Sequence, residues 1–114
     1  MRRTIHTLLC LLIFSHPVDA SPSVQQLFDE GNELYRKGAY EEAYQRFDSI
    51  THLGYESADL YYNMGNVAYK LGNNPLAILN YERAKKLKPA DRDTYFNLGM
   101  ANLKNIDKIE ALPE

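Results

Sequence analysis

Three glycines, Gly31, Gly65 and Gly99, stand 34 residues apart, each inside an apolar stretch patterned for a helix. A glycine in mid-helix costs about 1 kcal/mol relative to alanine, so three at one spacing require a structural cause. The direct cause is close approach of a neighbouring helix, because a missing side chain lets two backbones pack tightly. A fixed period of this length marks stacked helical hairpins, each burying its face against the next. The spacing therefore predicts an all-α array of antiparallel helix pairs.

The register extends well past these glycines. A shift of 34 residues pairs Leu27 with Tyr61 and Tyr95, Leu34 with Ala68, and Gly38 with Gly72. It also pairs Ala43 with Ala77, Phe47 with Tyr81, and Ile50 with Ala84. This pattern resembles the tetratricopeptide repeat (TPR), with a large residue, Leu-Gly and Tyr on helix A and Ala, an aromatic and Ala on helix B. The second unit matches best, through Tyr61, Met64, Gly65, Ala68, Ala77, Tyr81, Ala84 and Pro89. The first departs at Glu30, where Leu is expected, and at Tyr55, where Pro is usual. The third keeps Tyr95, Leu98 and Gly99, but Asn102 breaks the pattern and Pro113 forbids an ordinary second helix. The resemblance implies a TPR α-solenoid of two full repeats, about 24–57 and 58–91, plus one extra helix over 92–106, with a tail over 107–114.

The first twenty residues read differently. Arg2 and Arg3 precede an apolar run from Leu8 to Phe14, and Val18, Asp19 and Ala20 form a small-residue cleavage site. This is the layout of a cleavable signal peptide over 1–20, and the run is far too short to span a membrane. A lipoprotein signal ending at Cys10 is disfavoured, since Cys10 lies inside the apolar run behind Leu8 and Leu9. Arg2 and Arg3 lack the flanks of a twin-arginine signal, which leaves ordinary export to the periplasm or cell envelope. Cleavage after Ala20 removes Cys10, Arg2, Arg3 and Asp19. Lys plus Arg then falls from 13 to 11 and Asp plus Glu from 15 to 14, a net charge of −3. A chain without cysteine depends on packing alone, and a negative one lacks the basic face of a nucleic-acid binder.

Local signals set five helices. Ser23 and Gln26 form a capping box for the first, which runs to about Lys37 and stops at Gly38. The second covers Tyr40 to about Thr51, the third about Ser57 to Leu71, and the fourth Pro75 to Lys88. Asn74 is expected to cap the fourth, with Pro75 in its first helical position, and Asp91 to cap a fifth over about Arg92 to Lys104. Arg83, Lys85, Lys86 and Lys88 crowd the end of the fourth helix, where cations suit the dipole; an anionic-partner site is the other reading.

No catalytic constellation accompanies these helices. His52 is the sole histidine after Ala20, and no nucleophile elbow, phosphate loop or metal-ligand cluster joins it. Glu41 and Glu42 are placed to suit a helix N-terminus. The expectation is a non-enzymatic protein without cofactor or metal. The TPR resemblance implies a concave groove lined by helix A. In the first unit it points to Phe28, Asn32, Tyr35 and Arg36. In the second it points to Tyr62, Asn63, Asn66, Tyr69 and Lys70, and in the third to Asp93, Phe96, Asn97, Met100 and Lys104. Asn32 and Asn63 match asparagines that bind a peptide backbone or C-terminal carboxylate in chaperone-binding members. Phe28, Asp93 and Asn97 stand where those members carry cations, so an acidic chaperone tail is a poor fit. Aromatics and amides still suit a peptide segment, while Tyr61, Tyr81 and Tyr95 are expected in the core and Tyr62 and Tyr69 could serve either.

The fifth helix lacks a partner helix in this reading. Leu98, Leu103, Ile106 and Ile109 form an open terminal flank for a protein partner or a homodimer. The stretches LYYNMGN from Leu60, KLGN from Lys70, AILNYERA from Ala77 and DKIEALPE from Asp107 resemble the TPR region of exported BatE-type proteins of the Bacteroides aerotolerance (Bat) system. That resemblance covers about residues 55–114. It implies an envelope complex, Bat partners of von Willebrand type, a stress-related role, and membrane attachment only through a partner or segments beyond this sequence. The function expected is thus an exported protein-binding adaptor, with homo-oligomerisation through the terminal flank as the rival.

Overall fold

The computed structural model describes residues 20–110; residues 1–19 of the expected signal peptide, and Pro113, lie outside them. The described chain forms five helices: α1 (Val24–Arg36), α2 (Tyr40–His52), α3 (Ala58–Lys70), α4 (Asn74–Leu87) and α5 (Arg92–Glu110).

Side-chain caps start four of them. Ser23 Oγ accepts from the Gln26 N–H at 3.1 Å and the Gln26 side chain accepts from the Ser23 N–H at 2.8 Å, completing the capping box of α1. Ser57 caps α3 through the Leu60 N–H, and Asp91 Oδ1 accepts from the Asp93 and Thr94 N–H groups at the start of α5. At α4 the cap is Asn73 rather than Asn74, with Asn73 Oδ1 taking the Leu76 N–H at 3.2 Å. Asn74 is the first helical residue and is buried, so Pro75 follows one place later than expected. Gly38 and Gly72 end α1 and α3 at φ 81° and 75°, a left-handed turn that returns the Ala39 and Asn73 N–H groups to Leu34 and Ala68. The fifth helix runs to Glu110 instead of stopping near Lys104, because no glycine or proline interrupts 100–110.

Each helix packs on the next in sequence, and α3 also touches α1 and α5, which places α1, α3 and α5 in one layer and α2 and α4 in another. Leu27, Ala43, Phe47, Ile50, Leu60, Tyr61, Met64, Val67 and Ala84 form one buried cluster. Ala68, Ala77, Tyr81, Leu98 and Ala101 form the second. Glu30 breaks the repeat pattern because no described helix precedes α1; it stays exposed and takes the Arg46 Nε–H at 3.0 Å. Its register mates Met64 and Leu98 each meet a preceding hairpin and are buried.

The glycine periodicity has a different cause from the one expected. A Cβ on Gly31 would lie 2.6 Å from the Phe47 ring, and one on Gly65 would lie 2.6 Å from the Tyr81 ring. An aromatic side chain, rather than a second backbone, occupies the space that glycine leaves. Gly99 repeats the residue without the ring, since no described atom lies within 4 Å of its Cβ position. Two further expectations change. Tyr95 is 47% exposed instead of core, whereas Tyr61 and Tyr81 are buried. Leu98 is buried beneath α4 and does not belong to the open flank, while Leu103, Ile106 and Ile109 are exposed.

Candidate functional site

A pocket of about 270 Å³ opens on the layer formed by α1, α3 and α5, lined by Tyr35, Asn66, Tyr69, Lys70, Tyr81, Phe96, Asn97 and Met100. Helical spacing builds its walls. Asn66, Tyr69 and Lys70 share a face of α3, and Phe96, Asn97 and Met100 share one of α5. Phe96 is 69% exposed and Met100 38%, so the rim is apolar and accessible.

The floor is a bonded polar set. Tyr81 donates its hydroxyl proton to Asn66 Oδ1 at 2.6 Å. Asn97 Nδ2 donates to the same oxygen at 3.0 Å and to the Tyr62 hydroxyl at 3.0 Å. Both lone pairs of Asn66 Oδ1 are therefore used. Asn66 Nδ2 and Asn97 Oδ1 carry no hydrogen bond among the described residues, leaving an amide NH2 with two N–H donors and a carbonyl acceptor beside the pocket. Burial pushes the Tyr81 phenol far above its ordinary range, reinforced by Tyr62 and Tyr35 nearby. Tyr81 stays a neutral donor that holds the Asn66 amide in place. Lys104 Nζ lies 4.6 Å from the centre of the Tyr69 ring, so a cation steadies one aromatic wall.

Other groove candidates fall elsewhere. Asn63 Nδ2 donates to Asn32 Oδ1 at 2.9 Å, tying α3 to α1 beside a hollow of about 30 Å³. These two amides serve helix stacking first. Phe28 packs edge-on against Phe47 at 5.8 Å and lines a separate hollow near Tyr55 and Leu60. Arg36 is paired with Glu33 at 2.6 Å in solvent, away from the pocket. Tyr62 supports the floor, with its ring 6.0 Å from that of Tyr81. Tyr81 itself was the residue missed: its repeat position marks it as core, and it is both core and pocket floor. Only its hydroxyl, which Phe47 lacks at the same register, hints at that second role.

The basic end of α4 is largely occupied. Arg83 stacks over Tyr61 at 5.6 Å, Lys85 over Tyr95 at 5.1 Å, and Lys88 pairs with Asp91 at 3.7 Å. Among the described residues no group of three or more His, Cys, Asp or Glu could hold a metal ion, and no helix is long and apolar enough to cross a membrane. The chemistry available here is recognition through aromatic contact and amide hydrogen bonds.

Comparison with known proteins agrees with this architecture. The solved structure of YrrB, described as a TPR protein with an unusual peptide-binding site, superposes with a TM-score of 0.68 at 31% identity, covering 75% of this chain and 45% of that one. The chain is 33% identical over 82 residues to rhomboid protease GluP of Bacillus subtilis (strain 168), covering 70% of the chain and 16% of GluP. It is 28% identical over 94 residues to the mouse protein O-mannosyl-transferase TMTC1, covering 82% of the chain and 9% of that protein. The chain thus spans a small part of either curated relative. Residues 65–105 match the family model of the TPR repeat. That match lies in α3 to α5, and the described helices form an all-α solenoid similar to that of TPR-repeat proteins.

Proposed function

We propose that this protein is an exported adaptor that holds a peptide segment of a protein partner in the pocket between α3 and α5. TPR repeats serve as protein-interaction scaffolds, and YrrB, a solenoid of similar fold, is described as having a peptide-binding site. The observation that carries the reading is the pairing of exposed Phe96 and Met100 with the unused Asn66 donor and Asn97 acceptor. That combination fits one bulky apolar side chain together with a peptide N–H and C=O. The volume lies just under the roughly 300–1,000 Å³ of small-molecule sites, as suits a single anchoring residue.

Peptides selected on the full chain from a random library test this. Phe96→Ala should weaken such peptides by about tenfold or more, since a well-placed aromatic contributes more than about 1.4 kcal/mol. Their binding should also shift the side-chain amide NMR signals of Asn66 and Asn97. Equal binding by Phe96→Ala with unmoved amides would remove the pocket from consideration.

The export and envelope reading rests on Arg2, Arg3, the Leu8–Phe14 run and the Val18–Ala20 site. The aerotolerance role and Bat partners rest on the stretches from Leu60 to Glu114 that resemble BatE-type proteins. N-terminal sequencing of the protein from its native cell should begin at Ser21; a chain retaining Met1 in the cytosol overturns export. Self-association is the rival reading, favoured by exposed Leu103, Ile106 and Ile109. Sedimentation equilibrium distinguishes a monomeric adaptor from a dimer.

A further inference from the structure

Charge divides the layer of α1, α3 and α5 along its helix axes. A shift of 34 residues superposes Arg36, Lys70 and Lys104 toward one end, and Gln25, Asp59 and Asp93 toward the other. On α3, Asp59, Tyr62, Asn66 and Lys70 follow one face at helical spacing, and on α5 the matching face carries Asp93, Asn97, Met100 and Lys104. Arg36 spends its charge on Glu33 at 2.6 Å. Lys70 and Lys104 cannot do the same, because Val67 and Ala101 stand where α1 has Glu33. Neither lysine, and neither Asp59 nor Asp93, makes an ion pair among the described residues. The helix dipole accounts for Lys70 in the last turn of α3, but not for Lys104, which lies six residues before α5 ends at Glu110.

Both lysines meet the pocket. Lys70 lines it, Lys104 lies over its Tyr69 wall, and no acidic residue is among its lining side chains. Asp59 lies away from that pocket, in the hollow beside Phe28 at the N-terminal end of the layer. Eleven residues of helix separate Asp59 from Lys70, a rise of about 16 Å, which an extended segment covers in about five residues. We infer that the segment bound between α3 and α5 is charged oppositely at its two ends and lies in one direction. An aspartate or glutamate beside its apolar anchor faces Lys70 and Lys104, and a lysine or arginine about five residues away faces Asp59 and Asp93. This rests on the peptide-pocket reading and adds the charge pattern of the partner. The carboxylate concerned belongs to a side chain next to the anchor, so it lies at the far end of the layer from Asp93. Reversing the segment would set acid against Asp59 and Asp93 and base against the lysines, so charge complementarity selects one orientation.

The probe is a displayed library of random peptides selected on the full chain, with the selected peptides then synthesised and titrated. Enrichment of an acidic residue next to an apolar one, with a basic residue about five positions from the acid, is expected. The double variant Lys70→Glu, Lys104→Glu should weaken these peptides about tenfold, since two attractions become repulsions. The protein reversed at all four positions, with Asp59→Lys and Asp93→Lys added, should recover the same peptides once their two charged residues are exchanged. All four side chains are exposed, so the variants keep the fold, and circular dichroism checks this. Peptides that need Phe96 but bind the double lysine variant unchanged occupy the pocket without reading charge. That outcome overturns the inference and leaves the pocket reading standing. Acidic enrichment with no basic residue at a fixed distance overturns it as well. Peptides indifferent to Phe96→Ala and to the charge reversals remove the pocket reading, and the inference with it.

Discussion

At the residue scale, the three register-matched glycines have opposite prospects. Gly31→Ala and Gly65→Ala drive a methyl group into a buried ring at 2.6 Å and should each lose about 1–3 kcal/mol of stability. Gly99→Ala meets nothing and should gain about 0.5–1 kcal/mol from helix propensity. Urea unfolding of the three variants checks the ordering, and a destabilised Gly99→Ala would show that the space beside Gly99 is filled. Tyrosine ionisation gives a second residue-scale expectation. Burial raises the phenols of Tyr35, Tyr44, Tyr61 and Tyr81 above their ordinary 10.0. The native state favours the neutral forms, so their stabilisation is complete below about pH 10 and is lost as pH rises further. Absorbance titration should show these tyrosines ionising together with unfolding; a simple titration of all nine near pH 10 would contradict their burial.

At the scale of the element, stability depends on where each helix begins. Asn73→Ala removes the side-chain oxygen that holds the Leu76 N–H and should cost about 1 kcal/mol. Asn74→Ala should cost less, because the Asn74 side-chain oxygen Oδ1 is buried without a partner among the described residues and its loss removes an unmet polar group. Thermal denaturation of both variants separates them, and an equal or larger loss at Asn74 would place the cap one residue later. Surface ion pairs contribute little beside these caps. The Arg36–Glu33 and Arg46–Glu30 pairs join side chains that are at least 43% exposed and lie largely in solvent.

At the scale of the whole molecule, stacking converts one-dimensional repetition into a surface. The amide link from Asn63 to Asn32 joins α3 to α1, and Asn97 joins α5 to α3 through Tyr62 and Asn66. Asn97→Leu should therefore weaken both the α3–α5 contact and peptide binding, whereas Phe96→Ala should affect binding alone. Melting curves beside the library-peptide titrations check the split, and equal melting losses in the two variants would remove it. The repeat period, the Ser23 capping box and the Gly38 stop depend on residues close in sequence, so they were legible from the chain alone. Asn66, Tyr69, Lys70, Phe96, Asn97 and Met100 were named through the TPR resemblance, and helical spacing accounts for their alignment on α3 and on α5. Their meeting with Tyr35 and Tyr81 around one cavity required three helices and a fourth beneath them to be in place. The departure of Phe28 and Arg36 from that cavity, the burial of Leu98 and the exposure of Tyr95 were equally non-local. Sequence by itself determined the helices and their register, because backbone propensity, capping and periodicity act within a few turns. Tertiary structure alone decided which glycines carry a ring and which amides remain unpaired, because both depend on whether a distant helix arrives to fill the space.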